Sequence, residues 1–450
     1  MTQVLPAPPL VAVVAAAPRR FLSVLPVIAL IVTLALPVSG DGGGTLADAV
    51  SGLVVLCCAL RLVRGRRRPL SRTAAVVLGL PVAGVAVAAT GAASAGVAAE
   101  GLGRYLQIFV LVPAAVLLLI RDRRDARLVA WSLVGLALWQ GAIGVHQFVT
   151  GTGASYQGEM IRAVGTFGAT DIMGMAAVVA FGLVCALGLA LGSGPARQRT
   201  AAAVCALALL LPLALSFSRG AWIATAVTCG AQLVLAGLRR AVRVFAAVAA
   251  VAVVLVGGLG VGSAMLQERI SSITQVADAP DQSVTDRYTM WTAAVDMWRD
   301  RPLTGVGLKG FPDHRDGHAS LALSSGSDTD GAGAGFRRQP LLSPHNMYLL
   351  ILSEQGLLGL LALAGSWLAL LVRGLRGLLR ARRSAHGLDC ALVACGLLVW
   401  QLVDFVYADI GGPSTVLTAL VLGFAAWWAL ADEGAHDRAP EDAHEKAGDR

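Results

Sequence analysis

One histidine and three arginines stand out in this sequence, each beside residues that begin or bend a helix. His345 lies in Ser343-Pro344-His345-Asn346. Ser343 fits an N-cap and Pro344 the first helical position, which would put His345 in the first turn of a helix. The helix dipole disfavours an imidazolium there. A neutral imidazole can accept a proton, as a general base must. Arg219 lies in Ser216-Phe217-Ser218-Arg219-Gly220-Ala221-Trp222. Ser218 can cap the helix that follows, and a guanidinium beside free helix N–H groups makes an anion site. Arg287 follows Asp286, a candidate cap for a helix running from Thr285 to Arg301. A cation at that end opposes the dipole, and a bound anion would offset it. Arg162, in Arg162-Ala163-Val164-Gly165, adds another cation before an apolar run.

Each residue also has a plainer reading. Arg219 fits an arginine that snorkels to a membrane interface. Arg287 fits a solvated loop, and His345 a polar cap at an interface. His314 and His318, with Asp313 and Asp316, have the donor types for a metal, but their segment reads as a solvated loop. His146, near the end of an apolar run, reads as an interfacial histidine. Glu354, Asp404 and Asp409 lie in or near apolar runs, where acids are rare and often functional.

The elements that must position these residues are membrane helices. Of the residues, 56% are hydrophobic and only 14% charged, and the mean hydropathy is +0.70. A soluble domain carries about a quarter charged residues. Apolar runs of bilayer-crossing length place about twelve spans, near 21–39, 46–63, 73–90, 104–120, 128–148, 169–192, 200–216, 220–238, 244–265, 346–372, 388–407 and 413–431. The formal charge of +8 is not one patch, which argues against nucleic acid. Arginines cluster at 61–72, 121–127, 197–199, 239–243 and 373–383, all on one side if twelve spans alternate. That side is the cytoplasm by the positive-inside rule, and both termini are then cytoplasmic.

The expected organisation is a cytoplasmic N-terminus at 1–20, nine spans over 21–265, a large extracytoplasmic loop at 266–345, three spans over 346–431 and a disordered cytoplasmic tail at 432–450. The loop breaks the positive-inside pattern with Arg269, Arg287, Arg299, Arg301, Lys309, Arg315, Arg337 and Arg338, which suggests an anionic ligand. Trp291, Ala294, Val295 and Trp298 recur at helical spacing, and the tryptophans suit an interfacial helix. Pro302 ends it. Residues 313–335 are rich in Gly, Ser and Asp and read as mobile. Gly356 and Gly359 read as sites of close helix packing. The seven cysteines all fall in apolar runs, with no metal-binding spacing and no disulfide framework for the loop.

Four segments in order resemble the O-antigen ligase and Wzy-type polymerase superfamily of bacterial membrane glycosyltransferases. They are RAVGTFGATD at 162–171, SFSRGAW at 216–222, RYTMWTAAVDMWRDRPLTGVGLKGF at 287–311 and PHNMYLLILSEQGLLGLL at 344–361. The resemblance implies an all-α, GT-C-like polytopic fold of the cytoplasmic membrane. It implies transfer of a glycan from a polyprenyl-pyrophosphate donor to a glycan or lipid-glycan acceptor, with no cofactor and no metal. On that reading Arg219 and Arg287, with Arg162 on the same face, hold the pyrophosphate, and His345 activates the acceptor hydroxyl. The glycine-rich 313–335 segment departs from the family pattern. A secondary transporter or other envelope carrier accounts equally for the spans. It accounts less well for a large outer loop carrying arginines, because transporters bind near the bilayer midplane.

Overall fold

The computed structural model describes residues 23–38, 44–65, 70–156, 162–171, 173–239, 242, 282–320, 329–331, 341–384, 386–412 and 414–431. The expected span 244–265, both termini and much of the large loop lie outside them. The helices are α1 (Leu25–Thr33), α2 (Leu46–Gly65), α3 (Arg72–Ala89), α4 (Ala95–Leu106), α5 (Val112–Leu119), α6 (Arg123–Thr150), α7 (Gly174–Leu191), α8 (Ala196–Leu215) and α9 (Arg219–Ala236). After them come α10 (Gln282–Asp300), α11 (Phe311–His318), α12 (Met347–Ser384), α13 (Leu388–Asp404) and α14 (Thr415–Leu430). A π-helical turn, Gln107–Leu111, joins α4 to α5, and a kinked 3-10 turn occupies Gly165–Thr170.

Among the described residues, seven helices are long and apolar enough to cross a membrane: Leu46–Arg64, Arg72–Ala89, Ala95–Leu119, Arg123–Thr150, Gly174–Leu191, Ala196–Leu215 and Met347–Ser384. The chain is thus a mostly helical, polytopic membrane protein. Several expected boundaries change. The first expected span holds only the nine residues of α1, about 14 Å of rise against a core of about 30 Å. Pro26 stands in its first turn and Pro37 four residues past its end. The expected span 104–120 is the second half of a longer run that starts at Ala95. The chain is also not wholly helical. Two short strands, β1 (Ala154–Tyr156) and β2 (Thr329–Gly331), pair antiparallel with Ala154 opposite Gly331. They tie the link after α6 to the large loop.

The core sits around α7, whose residues are buried along nearly the whole helix. It packs against α6, α8, α9 and α13. α3 lies along α12, and Gly84 lets the two backbones approach: a Cβ there would stand 2.7 Å from Gly359 Cα.

Helix ends sort into two groups. At one end Arg127 Nε donates to the buried Asp389 Oδ2 (2.5 Å), and Arg123 crosses beside Gly387. Arginine-rich helix termini gather here. At the other end Ala163 N donates to Leu215 O (3.2 Å), Met347 N to Phe405 O (2.8 Å), and Ser414 N to Asp171 Oδ2 (2.9 Å). Arg104 is paired with Asp48 and reaches Gly412 O at 3.5 Å.

α12 is broken rather than packed at Gly356, which takes φ 64° and ψ −164°. The break frees backbone groups, and the loop after α10 fills it. Val306 N donates to Ser353 O (2.8 Å) and Gly307 N to Glu354 O (3.0 Å). Leu357 N donates to Pro302 O (2.9 Å) and Leu358 N to Leu303 O (3.2 Å). Irregular backbone at membrane depth is tolerated where protein satisfies it in this way. Buried Glu354 adds a side-chain tie, its Oε1 accepting from Phe311 N at 3.2 Å.

Candidate active site

His345 does not sit in the first turn of a helix. α12 begins at Met347, and its cap is Asn346, whose Oδ1 accepts from Leu349 N at 3.1 Å. His345 precedes the cap in the left-handed region, φ 48°. Left-handed backbone costs a non-glycine residue about 1–2 kcal/mol, so neighbours must hold it. Trp291 Nε1 of α10 donates to Pro344 O (2.8 Å). Met347 N, just after, donates to both Phe405 O and Ala408 O. Ser343 Oγ donates to the Asp409 carboxylate.

Asp409 Oδ2 also lies 3.9 Å from His345 Nδ1, with the His345 side chain 47% exposed and Asp409 only 8%. That distance is too long for a hydrogen bond. The packing around the ring holds the imidazole below its ordinary value. Arg287 pushes the same way, and the Asp409 carboxylate pulls against both. Packing and Arg287 thus both favour the neutral imidazole.

Arg287 comes from α10, which begins at Gln282, earlier than Thr285. Asp286 is consequently buried in the helix and is not its cap, and Arg287 is not in the first turn. The buried stripe Met290, Ala293, Ala294 and Met297 seats α10 against α12. Arg287 lies within electrostatic reach of His345 and of Asp404.

Arg219 opens α9, exposed, with Ser218 as the cap: Ala221 N donates to Ser218 Oγ at 3.2 Å. Phe217 just before it takes φ 49°. Gly220 lies against Tyr407, where a Cβ would stand 3.3 Å from the Tyr407 Cβ. Tyr407 belongs to the same turn, 404–409, that receives Met347 N and carries Asp409. The Arg219 and His345 elements thus meet on one turn, with Arg287 facing it.

Arg162 joins this end through backbone. Arg162 N donates to Ala154 O (2.7 Å), and Ala163 N to Leu215 O at the start of the Arg219 turn. Two glutamines of α6, seven residues apart and so on one face, hold the following residues. Gln147 Oε1 accepts from Gly165 N (2.8 Å), and Gln140 Oε1 from Thr166 N (2.9 Å).

The metal candidates are otherwise engaged. His314 Nδ1 bonds Gly310 O (2.9 Å) and His318 Nδ1 bonds His314 O (2.8 Å). His318 Nε2 meets Asp300 Oδ2 at 2.9 Å, which raises the imidazole above its ordinary value. Among the described residues no group of three or more His, Cys, Asp or Glu is placed to hold a metal. Residues 313–318, expected to be mobile, are part of helix α11.

Residues 203–364 match the O-antigen ligase family model. That region holds Arg219, Arg287, His345 and the interlocked Gly356 break, and it stops short of Arg162 and Asp409. The O-antigen ligase match, joined to the apolar helices, supports a bacterial membrane glycosyltransferase of the ligase or polymerase type. We found no match among curated proteins.

Sequence reasoning flagged Asp409 but did not connect it with His345. The signal was available: both fall in links on the same predicted side. Asn346 and the two glutamines were missed outright.

Proposed function

We propose that this protein transfers a glycan from a polyprenyl-pyrophosphate donor to an acceptor hydroxyl on the extracytoplasmic face of the membrane, with His345 as general base and Arg219, Arg287 and Arg162 as the pyrophosphate-binding cations. The observation that carries the reading is a half-exposed His345 whose Nδ1 lies 3.9 Å from the buried Asp409 carboxylate, with Arg287 within electrostatic reach. The chemistry asks for such a pair. The acceptor hydroxyl gives its proton to the free ring nitrogen, and its oxygen forms a bond to the anomeric carbon. The anomeric bond to the pyrophosphate oxygen breaks, and its electron pair leaves with the lipid pyrophosphate. Negative charge grows on that oxygen, where fixed cations and helix N-terminal N–H groups stabilise it. The leaving group is already good, so no acid is needed to protonate it. Asp409 orients the ring and steadies the imidazolium that forms.

The experiment is transfer of labelled glycan from a purified lipid-linked donor, with and without chelator. His345→Ala is expected to lower transfer by at least about a hundredfold, the lower end of general-base catalysis, with donor binding kept. Near-normal turnover in that variant removes His345 as the base. Loss of wild-type activity on chelation removes the metal-free reaction.

A further inference from the structure

Beside the charged groups, one aromatic side chain is left open. Tyr288 of α10 is 60% exposed. It stacks edge-on with Trp291, ring centroids 5.6 Å apart at 81°. Trp291 in turn is pinned by its Nε1 to Pro344 O, the residue before His345. Arg287, Tyr288 and Trp291 share one side of α10, since positions three and four apart lie together on a helix. The edge-on partner fixes the Tyr288 ring and leaves most of its surface free.

Beside Tyr288 the partly exposed Trp291, Val295 and Trp298 form one edge of α10. The outward face of α10 carries Thr292, Arg299 and Asp300, all exposed, and Asp296, which pairs with Arg299 at 2.8 Å. The surface of α10 is more mixed than the apolar stripe of α8, with Val204, Leu207, Leu210 and Leu211. Tyr288 is the most exposed aromatic on that edge, next to polar side chains. The ligand chemistry that fits such a platform is a sugar ring. It offers an apolar C–H face to stack on the aromatic ring, and its hydroxyls bond to surrounding polar groups and water.

We infer that Tyr288 is the stacking platform for the sugar ring next to the reacting bond, and hence a specificity-determining residue. The inference rests on the glycan-transfer reading above and deepens it. Position assigns the ring to the donor. Trp291, which packs on Tyr288, lies one turn from Arg287 on the same helix, so a sugar on a pyrophosphate held by Arg287 would come near that aromatic pair.

The test uses the full-length protein in detergent or vesicles, with a purified polyprenyl-pyrophosphate-linked glycan as donor. Bare polyprenyl pyrophosphate serves as a competitive inhibitor. Tyr288→Ala is expected to raise the donor KM roughly three- to tenfold, the range of a single aromatic contact. Inhibition by bare polyprenyl pyrophosphate should not change, and Tyr288→Trp should restore the KM. Arg287→Ala should weaken both donor and inhibitor. A rise in acceptor KM alone overturns the assignment to the donor sugar. Weakening of the bare lipid along with the donor overturns it in favour of a lipid or pyrophosphate contact. Unchanged kinetics in Tyr288→Ala overturn the inference while wild-type transfer leaves the glycan-transfer reading standing. Absence of transfer by the wild type overturns both.

Discussion

Replacing Gly356 by Ala tests whether the broken helix α12 holds the site together. Gly356 takes φ 64° and ψ −164°, a region that essentially only glycine enters, and forcing another residue into it costs about 1–3 kcal/mol. Space forbids the change independently. An added Cβ would lie 2.4 Å from Leu303 C and O and 2.5 Å from Thr304 N. These are backbone atoms of the inserted loop, so they cannot rotate away. The loop must withdraw, and with it go the bonds from Val306, Gly307, Leu357 and Leu358 N–H groups. Each buried group left unpaired costs about 1–3 kcal/mol. Even one such loss added to the strain gives about 2–6 kcal/mol. The effect should reach the chemistry, because the loop is the direct continuation of α10, which carries Arg287 and Trp291. Gly135→Ala in α6 is the matched control, since a Cβ there meets nothing within 4 Å. Thermal unfolding in detergent should show Gly356→Ala melting several degrees below wild type, and transfer should fall with it. Gly135→Ala should melt at or above wild type. If Gly356→Ala melts and transfers like the control, the interlock of loop and broken helix is not what fixes the site.

Two further expectations concern charge and topology. The rate of transfer should fall as pH drops through the His345 value, because only the neutral ring accepts a proton, and that limb should centre below the ordinary value of 6.5. Asp409→Asn removes the anion that pulls this value up and should move the limb of residual activity further to acid. Arg287→Ala removes a cation that pushes it down and should move the limb toward neutral; limbs that stay fixed or shift together would rule out His345 as the titrating base. Reporter fusions near Gly326 should read outside the cytoplasm and those near Arg67, Arg124 and Arg382 inside; a cytoplasmic reading at Gly326 defeats the topology and the mechanism with it.

The parts of this fold legible in the sequence are those set by local or one-dimensional signals. Apolar runs marked α2, α3, α6, α7, α8 and α12, because a bilayer-crossing helix needs only length and apolarity. Ser218 was readable as a cap because its hydroxyl bonds an amide three residues on. The parts that were not legible depend on distant partners. Nothing in Leu349–Leu361 announces a break, since the run is continuously helical in pattern. Only the arrival of Pro302–Gly307 makes the break at Gly356 affordable. Ser343-Pro344 has the form of a helix start, yet Asn346 takes the cap, because the carbonyls of Phe405 and Ala408 hold Met347 N one residue further on. Gln140 and Gln147 read as stray polar residues in an apolar span until the turn at Gly165 and Thr166 is folded against them.

Among the described residues, the non-glycine residues at positive φ are Phe217, Lys309 and His345. Each lies in a different one of the segments that meet at this end of the bundle, and all fall within the residues matched by the O-antigen ligase family. At about 1–2 kcal/mol each, together they cost about 3–6 kcal/mol, a large share of a folded protein's margin of about 5–15 kcal/mol. Such strain persists only where surrounding contacts over-determine it. Those contacts are present: Phe217 packs on Phe148, ring centroids 6.1 Å apart; Lys309 pairs with Glu100; and His345 is fixed on both flanks by Trp291 and the 405–408 carbonyls. Relaxing any of these turns would stabilise the backbone and swing a neighbouring functional side chain out of place. A reaction that relies on positioning a base and cations around one leaving group needs that rigidity. The concentration of strain at this end is consistent with the fixed geometry that the proposed group transfer would need.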